Sequence, residues 1–470
     1  MKKILVFCLA VVCWSCQKEN NENLKVKNTL ADGSTQRAGD GVNDVIGYGY
    51  DVTGVYADAS ASRNAVIDIP AFSAAYPNRL YVSFPNSQSF FSTWGLNARD
   101  FSSKISKTIN ATSAFSAFTG TVNASTTETN TYSSKYMYGI YNLLLQKKQI
   151  QLNASTDLLK NYLTPEFLAD LSNQSPAYIV SKYGTHVHVN IITGAKLEIL
   201  YRSETSSSSR EVAVQAGLKV SVGKIFDLGA TTSTDIKDAQ NNSNQRLTYH
   251  TTGGAISVPL ATVNVDGATS VSLAAWQGSV TEANSVLVAI PADGLIEITD
   301  LVSDATQKAA LQNYITQYIA SRAVNVTYNT MPLLSSYNIL SMSNMLSTAP
   351  ETAGLSNWVQ RGSIGQIFTD NGMEGTVPVY RYYLNNGTFF FNTNYNEIGT
   401  GGDLGHLDYI IGYIYSQPTT GAIPIYRYNH NGKHWYTTNY SELGAGGYKT
   451  VGGLLRYYYT YEGIIGYIKQ

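Results

Sequence analysis

From Val187 to Tyr201 apolar side chains recur at every second position. The odd residues read Val, Val, Ile, Thr, Ala, Leu, Ile, Tyr, whereas the even ones include His188, Asn190, Lys196 and Glu198, with Arg202 just beyond. A two-residue period places one set of side chains on each face of a pleated strand, one face in and one out. At about 3.3 Å per residue such a strand spans roughly 50 Å, against a usual length of five or six residues. It needs a special use. After a turn at Ser206–Ser209 the alternation resumes. Val212, Val214, Ala216, Leu218, Val220 and Val222 are apolar, and Glu211, Ala213, Gln215, Gly217, Lys219 and Ser221 are small or polar. This stretch matches the roughly 9–11 residues of a tilted transmembrane β-strand, with one face for lipid and one for water. A solvent-facing strand packing one face on a core gives the same pattern, and alternation alone leaves both open.

Composition narrows the field. The 470 residues suit about three domains, or one large domain with appendages. Charged residues are 14 % of the chain, and 35 tyrosines and 39 glycines tilt it towards β-structure. The 32 basic and 33 acidic side chains leave a net charge of -1, so no field exists to hold a phosphate backbone, and nucleic acid drops out as a partner. Cys8, Cys13 and Cys16 all precede residue 17, so the body has neither disulfide nor cysteine-based zinc site. Lys2, Lys3, the apolar run Ile4–Val12 and Cys13-Trp14-Ser15-Cys16 form a processing signal too short for a membrane span. It resembles a bacterial lipoprotein signal, which implies lipidation of Cys16 and export to the outer-membrane surface or release; an ordinary secretory signal is the alternative. No other run approaches the roughly 18 apolar residues of a membrane helix, so any crossing uses strands.

Five segments follow: a signal (1–16), a polar tether (17–43), a body (44–325), a connector rich in Ser, Asn and Met (326–355) and a tyrosine-rich region (356–470). In the body, Ile46–Tyr50, Leu80–Phe84 and Arg246–His250 are strand candidates, and Tyr132–Leu152 is apolar on both faces. Thr164-Pro165 and Ser175-Pro176 each start a helix, while Ala230–Asn244 is polar and turn-rich. Val302–Ala323 is an amphipathic helix, with Ser303 as cap and a stripe of Leu311, Tyr314, Ile315, Tyr318 and Ile319. The last region repeats itself. Pro378-Val-Tyr-Arg-Tyr382 recurs as Pro424-Ile-Tyr-Arg-Tyr428, and Thr393-Asn-Tyr-Asn-Glu-Ile-Gly399 as Thr438-Asn-Tyr-Ser-Glu-Leu-Gly444. Ile411-Gly-Tyr-Ile414 returns as Ile465-Gly-Tyr-Ile468, with an echo at Ile364-Gly-Gln-Ile367. Two full units and part of a third imply a small module of short strands.

Enzyme chemistry finds no support. His186 and His188 form an H-x-H that His250 could approach, but no acidic residue completes a ligand set, so they read as structural and no metal or cofactor is expected. The nucleophile-elbow, zincin and P-loop motifs are missing, and Gly47-Tyr-Gly49 lacks a third glycine. Glu397 and Glu442 occupy equivalent repeat positions and read as structural rather than as a glycosidase pair.

Tyr183-Gly184-Thr185-His186, then Val187, six residues and Gly194-Ala195, resembles the signature of the membrane attack complex/perforin (MACPF) family. That signature is an aromatic residue, Gly, Thr or Ser, His, an aromatic residue, six residues and a Gly pair; Val187 and Ala195 depart from it. Gly47–Asp51, Gly253-Gly254 and Trp276 sit where the family has similar features. The resemblance covers residues 44–325. It implies an α+β fold: a bent, twisted four-stranded antiparallel sheet flanked by two helical or mixed clusters, within Ser103–Ser134 and Thr205–Gln245, that unfurl into β-hairpins. Gly194, Gly253 and Gly254 would let the sheet bend, and the Val212–Val222 face would meet target-membrane lipids. Backbone groups cannot enter hydrocarbon unpaired, so insertion demands a closed, ring-shaped homo-oligomer. The first cluster is polar and alternates poorly, which favours a rival: a non-lytic adhesin or glycan-binding lipoprotein. In the mostly-β repeat module, Tyr380, Tyr382, Tyr426, Tyr428, His434, Trp435 and Tyr436 offer flat faces beside polar groups, suited to sugar rings of a surface glycan or to an outer-membrane protein receptor. Tyrosine also simply fills strands, and that reading stands beside it.

Overall fold

The long alternating stretch forms strand, but in two pieces. The computed structural model describes residues 43–108, 119–124, 131–207, 209–451 and 455–470. The signal, Cys16, the tether up to residue 42 and parts of the first cluster lie outside the described residues. The central sheet consists of β1 (Ser87–Gly95), β2 (Met137–Leu152), β3 (Asn190–Thr205) and β4 (Asn242–Thr252), side by side in that order and antiparallel. β2 and β3 are 16 residues each. Leu80–Ser83 lengthens the β1 edge and Ala261–Asn264 covers β4.

The expected Val187–Tyr201 strand divides at Val189, whose N–H donates to Gly294 while its carbonyl accepts from Leu152. His186–His188 on one side of that switch belongs to a second sheet with Tyr48–Tyr50, Ser62–Ala65 and Leu295–Glu297. Both pieces are extended, so the sequence period survives a change of sheet. The even-numbered face is not outward either. Lys196 and Glu198 are 1 % exposed and pair at 2.9 Å, because this sheet is covered on both sides.

Val212–Val222 is not a strand here. Arg210–Phe226 is one α-helix, α3 below, ended by Asp227 in the left-handed conformation. Ala213, Val214, Gly217, Leu218, Ser221, Val222 and Ile225 are buried, a spacing of one, three and four that is helical. The alternation reading counted Ala213, Gly217 and Ser221 as the wet side, but their smallness lets the helix approach the sheet: a β-carbon on Gly217 would lie 2.2 Å from the Tyr201 hydroxyl oxygen. Among the six apolar residues, Val212 is exposed and Val220 half-buried. The turn-rich Ala230–Asn244 likewise holds a short helix, Ser233–Ala239 (α4), started by a capping box between Thr232 and Asp235.

Thr164 and Ser175 cap helices Pro165–Asn173 and Pro176–Tyr183 through their hydroxyls, as expected. The late helix is Ala305–Ser321, with Leu311, Ile315 and Ile319 buried; its cap is Asp304 rather than Ser303, the carboxylate accepting from Gln307 N–H. Before β2 lie helices Ala98–Thr108 (α1) and Thr119–Ala124 (α2).

The connector is not a connector. Thr330–Asn338 and Asn344–Ser347 pair with each other, and the former also pairs with Trp358–Phe368, making unit 1 of the C-terminal sheet. Unit 2 is Thr376–Leu384, Phe389–Asn392 and Gly405–Tyr415, and unit 3 is Ala422–His430, Lys433–Thr437, Gly446–Val451 and Leu455–Lys469. Unit 1 has lost the tyrosines that mark the others, so only its Ile-Gly-Gln-Ile remnant was legible. The three units share a core that includes Leu333, Val379 and Ile425 at equivalent places.

Candidate functional site

The signature residues build a joint. Helix Pro176–Tyr183 stops at Gly184, whose φ of 78° and ψ of −158° suit glycine alone. A β-carbon there would lie 2.5 Å from the Tyr50 carbonyl carbon, and one on Gly49 would lie 1.7 Å from the Tyr183 carbonyl oxygen. Two backbones therefore cross in contact, welded by the Thr185 N–H donating to Tyr50 O at 2.9 Å. Thr185 Oγ1 accepts from the Val52 N–H and sits 3.0 Å from His186 Nδ1. Tyr183 donates its phenol to Asp170, which Lys182 also holds. His188 packs edge-on against Tyr50 and lies 3.3 Å from Ser62 Oγ. Burial lowers the histidine pKa values to about 4 at His186 and about 3 at His188, so both are neutral at pH 7. His250 lies in β4, opposite Glu198. Among the described residues no three metal-binding side chains converge.

Gly194, Gly253 and Gly254 come together at one corner. A β-carbon on Gly194 would lie 1.9 Å from Leu145 O, and one on Gly253, at φ 72°, would lie 2.5 Å from Gly194 O. The β2–β3 register slips between Gln146 and Lys148, opposite Gly194 and Thr193, as a bulge does. Buried Trp276 braces the corner, donating its indole N–H to Gly253 O at 3.1 Å.

The two clusters pack on opposite faces of the sheet. Phe101 of α1 stacks on Tyr138, whereas Leu218 of α3 fills the space over Gly139, the next residue of β2. Residues 96–136 join β1 to β2, and residues 206–241 join β3 to β4. Phe115 and Phe118 of the first cluster lie outside the described residues.

Arg210, at the root of α3, was invisible as a functional residue because its partners are far away in sequence. Its guanidinium donates to the carbonyls of Leu96, Ser134 and Lys135 and to Asn371 Oδ1. Asn371 belongs to the turn between units 1 and 2. It donates in return to Ser207 O, and its neighbour Asp370 accepts from the Ser134 hydroxyl. One C-terminal turn thus clasps the end of the first cluster and the start of the second.

In the C-terminal module the proposed sugar-stacking set divides. Tyr382, Tyr428, His434, Trp435 and Tyr436 are buried, and cannot offer a face to a ligand. Tyr382 and Tyr428 donate to Gly399 O and Gly444 O at the same place in two units, so they serve the strands. Burial also lowers the pKa of His434 to about 4. Tyr380 and Tyr426 are half-buried, each beside an exposed tyrosine, Tyr395 and Tyr440. Glu397 and Glu442 are structural, as their repeat positions imply. Arg381 pairs with Glu351, Arg427 with Glu397 and Arg361 with Glu442, one ion pair across each boundary between units.

The family model described as MAC/Perforin domain matches residues 31–326, and a domain of unknown function (DUF5648) matches residues 350–469. No curated protein matches the chain. Among solved structures it is similar to GNIP1Aa from Chromobacterium piscinae, at 16% identity and TM-score 0.48 over 77% of this chain and 68% of that one. It is similar also to a putative cell invasion protein with a MAC/Perforin domain from Bacteroides thetaiotaomicron, at 15% identity and TM-score 0.47 over 72% and 71%.

Proposed function

The chain belongs to the membrane attack complex/perforin family, and from that premise we propose that it oligomerises into a ring and inserts β-hairpins into a target membrane. It acts without enzymatic chemistry. In this reading it is exported, anchored through Cys16 at the outer-membrane surface or released, and its C-terminal module recognises a surface glycan or protein. One observation carries the proposal: each stored cluster joins two strands that are already antiparallel neighbours. The β1–β2 ladder begins at Gly95 opposite Tyr138, and the β3–β4 ladder ends at Thr205 opposite Asn242. Extension of either cluster therefore continues an existing ladder, with its register already set. Residues 206–241 supply roughly 17 residues per arm, more than the 9–11 of a membrane strand. Once extended, Val212, Val214, Ala216, Leu218, Val220 and Val222 share one face. Backbone pairing in hydrocarbon then requires many copies.

Dye release from liposomes of candidate target lipids tests this. Val212→Lys with Val220→Lys is the useful variant, because neither side chain is fully buried in the stored form. Leakage should vanish while the thermal midpoint stays. Unchanged leakage removes the second hairpin from the mechanism. A non-lytic adhesin on the same fold is the second reading, favoured by the small and polar α2, Thr-Gly-Thr-Val-Asn-Ala.

A further inference from the structure

Units 2 and 3 repeat each other closely, and unit 1 departs from them along its return strand. The register aligns Pro332 opposite Gln366 with Pro378 opposite Tyr413 and Pro424 opposite Tyr467. By the same register Ser363 stands where units 2 and 3 carry Ile410 and Ile464, which are 40% and 42% exposed. Arg361 stands where they carry Asp408 and Glu462. The ion pair has been turned round as well: Ser335 replaces the strand arginine, and Arg361 brings the guanidinium in from the opposite strand. At the boundary between units 1 and 3, where bulky groups have given way to Ser363 and Gln366, lies a cleft of about 720 Å³.

We propose that this cleft binds a neutral saccharide. The inference rests on reading the C-terminal module as the recognition part of the protein. The charges in the cleft are already satisfied. Arg361 donates to Glu442, Ser335 Oγ and Tyr436 O and lies over the Trp435 ring, and Lys449 also holds Glu442. An ionic ligand would have to break that pair, leaving a half-buried charge unmatched. The side chains that remain for a ligand are uncharged. The carboxamides of Gln366 and Gln470, the Thr438 hydroxyl and the Asn439 Nδ2 line the cleft with no side-chain partner among the described residues. Carboxamides and hydroxyls both donate and accept, which matches ring hydroxyls that do the same. Ile364 and Ile423 add an apolar patch for the C–H face of a sugar ring.

The decisive variant writes the other units' residues into unit 1: Ser363→Ile with Gln366→Tyr. These side chains already stand at the equivalent places of the same sheet, so they fill the cleft without new packing in the core. Saturation-transfer NMR of the full chain would use glucose, galactose, mannose, N-acetylglucosamine, lactose and cellobiose, with glucuronate as the charged comparison. At least one neutral sugar should bind, and the double variant should weaken it at least tenfold with no change in thermal midpoint. Thr438→Ala, a change outside the core, should weaken it too. Binding by none of the six, preference for glucuronate, or unchanged binding in either variant overturns the proposal. Liposome leakage is read separately on the same samples. Sugar binding without leakage counts against the pore and leaves the cleft intact, and leakage without sugar binding does the reverse.

Discussion

Arg210→Met should loosen the stored form at its clasp. The side chain is 6 % exposed and donates to four acceptors, three of them backbone carbonyls of the segments that flank the first cluster. Methionine keeps much of the aliphatic stem and removes every donor, so the carbonyls of Leu96, Ser134 and Lys135 lose this partner. A hydrogen bond to a charged group is worth about 1.5–3 kcal/mol, and a buried acceptor left without its donor costs about 1–3 kcal/mol. The four bonds share one guanidinium and do not add in full, so a total of about 3–5 kcal/mol is expected. At roughly 2 °C per kcal/mol for a large domain, the thermal midpoint should fall by about 6–10 °C. Limited proteolysis should open first between residues 206 and 241, and leakage from liposomes should start sooner. Asn371→Ala serves as the companion. It removes the C-terminal arm of the clasp and leaves three carbonyls held, so a loss of about 1 kcal/mol is expected, with the same acceleration in weaker form. A midpoint within about 1 °C of wild type for Arg210→Met, with an unaltered cleavage pattern, would mean that Arg210 does not hold the second cluster closed.

Two further outcomes follow from buried ionisable groups. His186 and His188 have folded pKa values lowered by burial from 6.5 to about 4 and about 3, so their contribution is complete above pH 6.5 and is lost as pH falls towards those values. Between pH 8 and pH 5 the unfolded chain takes up protons that the fold refuses, a loss of about 4 kcal/mol for the pair; buried His434 adds a term of the same sign. Urea midpoints at both pH values check this, and equal midpoints would contradict it. Lys196→Met should destabilise by about 3–5 kcal/mol because it strands Glu198, whereas Lys196→Met with Glu198→Leu should recover most of that loss. Chemical denaturation of the single and double variants decides it.

Local chemistry made much of the body legible in advance. Hydroxyl–proline pairs at Thr164 and Ser175 start helices because the cap and the fixed proline dihedral act within one turn. The Tyr183–His186 motif carried the family resemblance, whereas the joint at Gly184, whose dihedrals suit glycine alone, is visible only in the fold. The 212–222 period by itself hides the helix that the family resemblance implies within residues 205–245, because the same residues satisfy two conformations. Even positions make a strand face, while small residues at 213, 217 and 221 let a helix lie close on the sheet. The aromatic set misled for a similar reason: a tyrosine that bonds a backbone carbonyl inside the module reads like one that faces solvent.

The extended strands, the caps at Thr164 and Ser175 and the two closely matching repeat units can be read from short stretches of sequence, since each is set by dihedral preference or by a period within a few residues. The change of sheets at Val189, the joint burial of Lys196 and Glu198, the clasp of Arg210 on a turn more than 150 residues away and the third unit completed by residues 330–347 arise from packing across the whole fold. Those features depend on which distant segments meet. Meeting is settled by the burial and hydrogen bonding of the whole chain: Arg210 and Asn371 share no short window of sequence, and Lys196 and Glu198, although two residues apart, are buried by segments far from both.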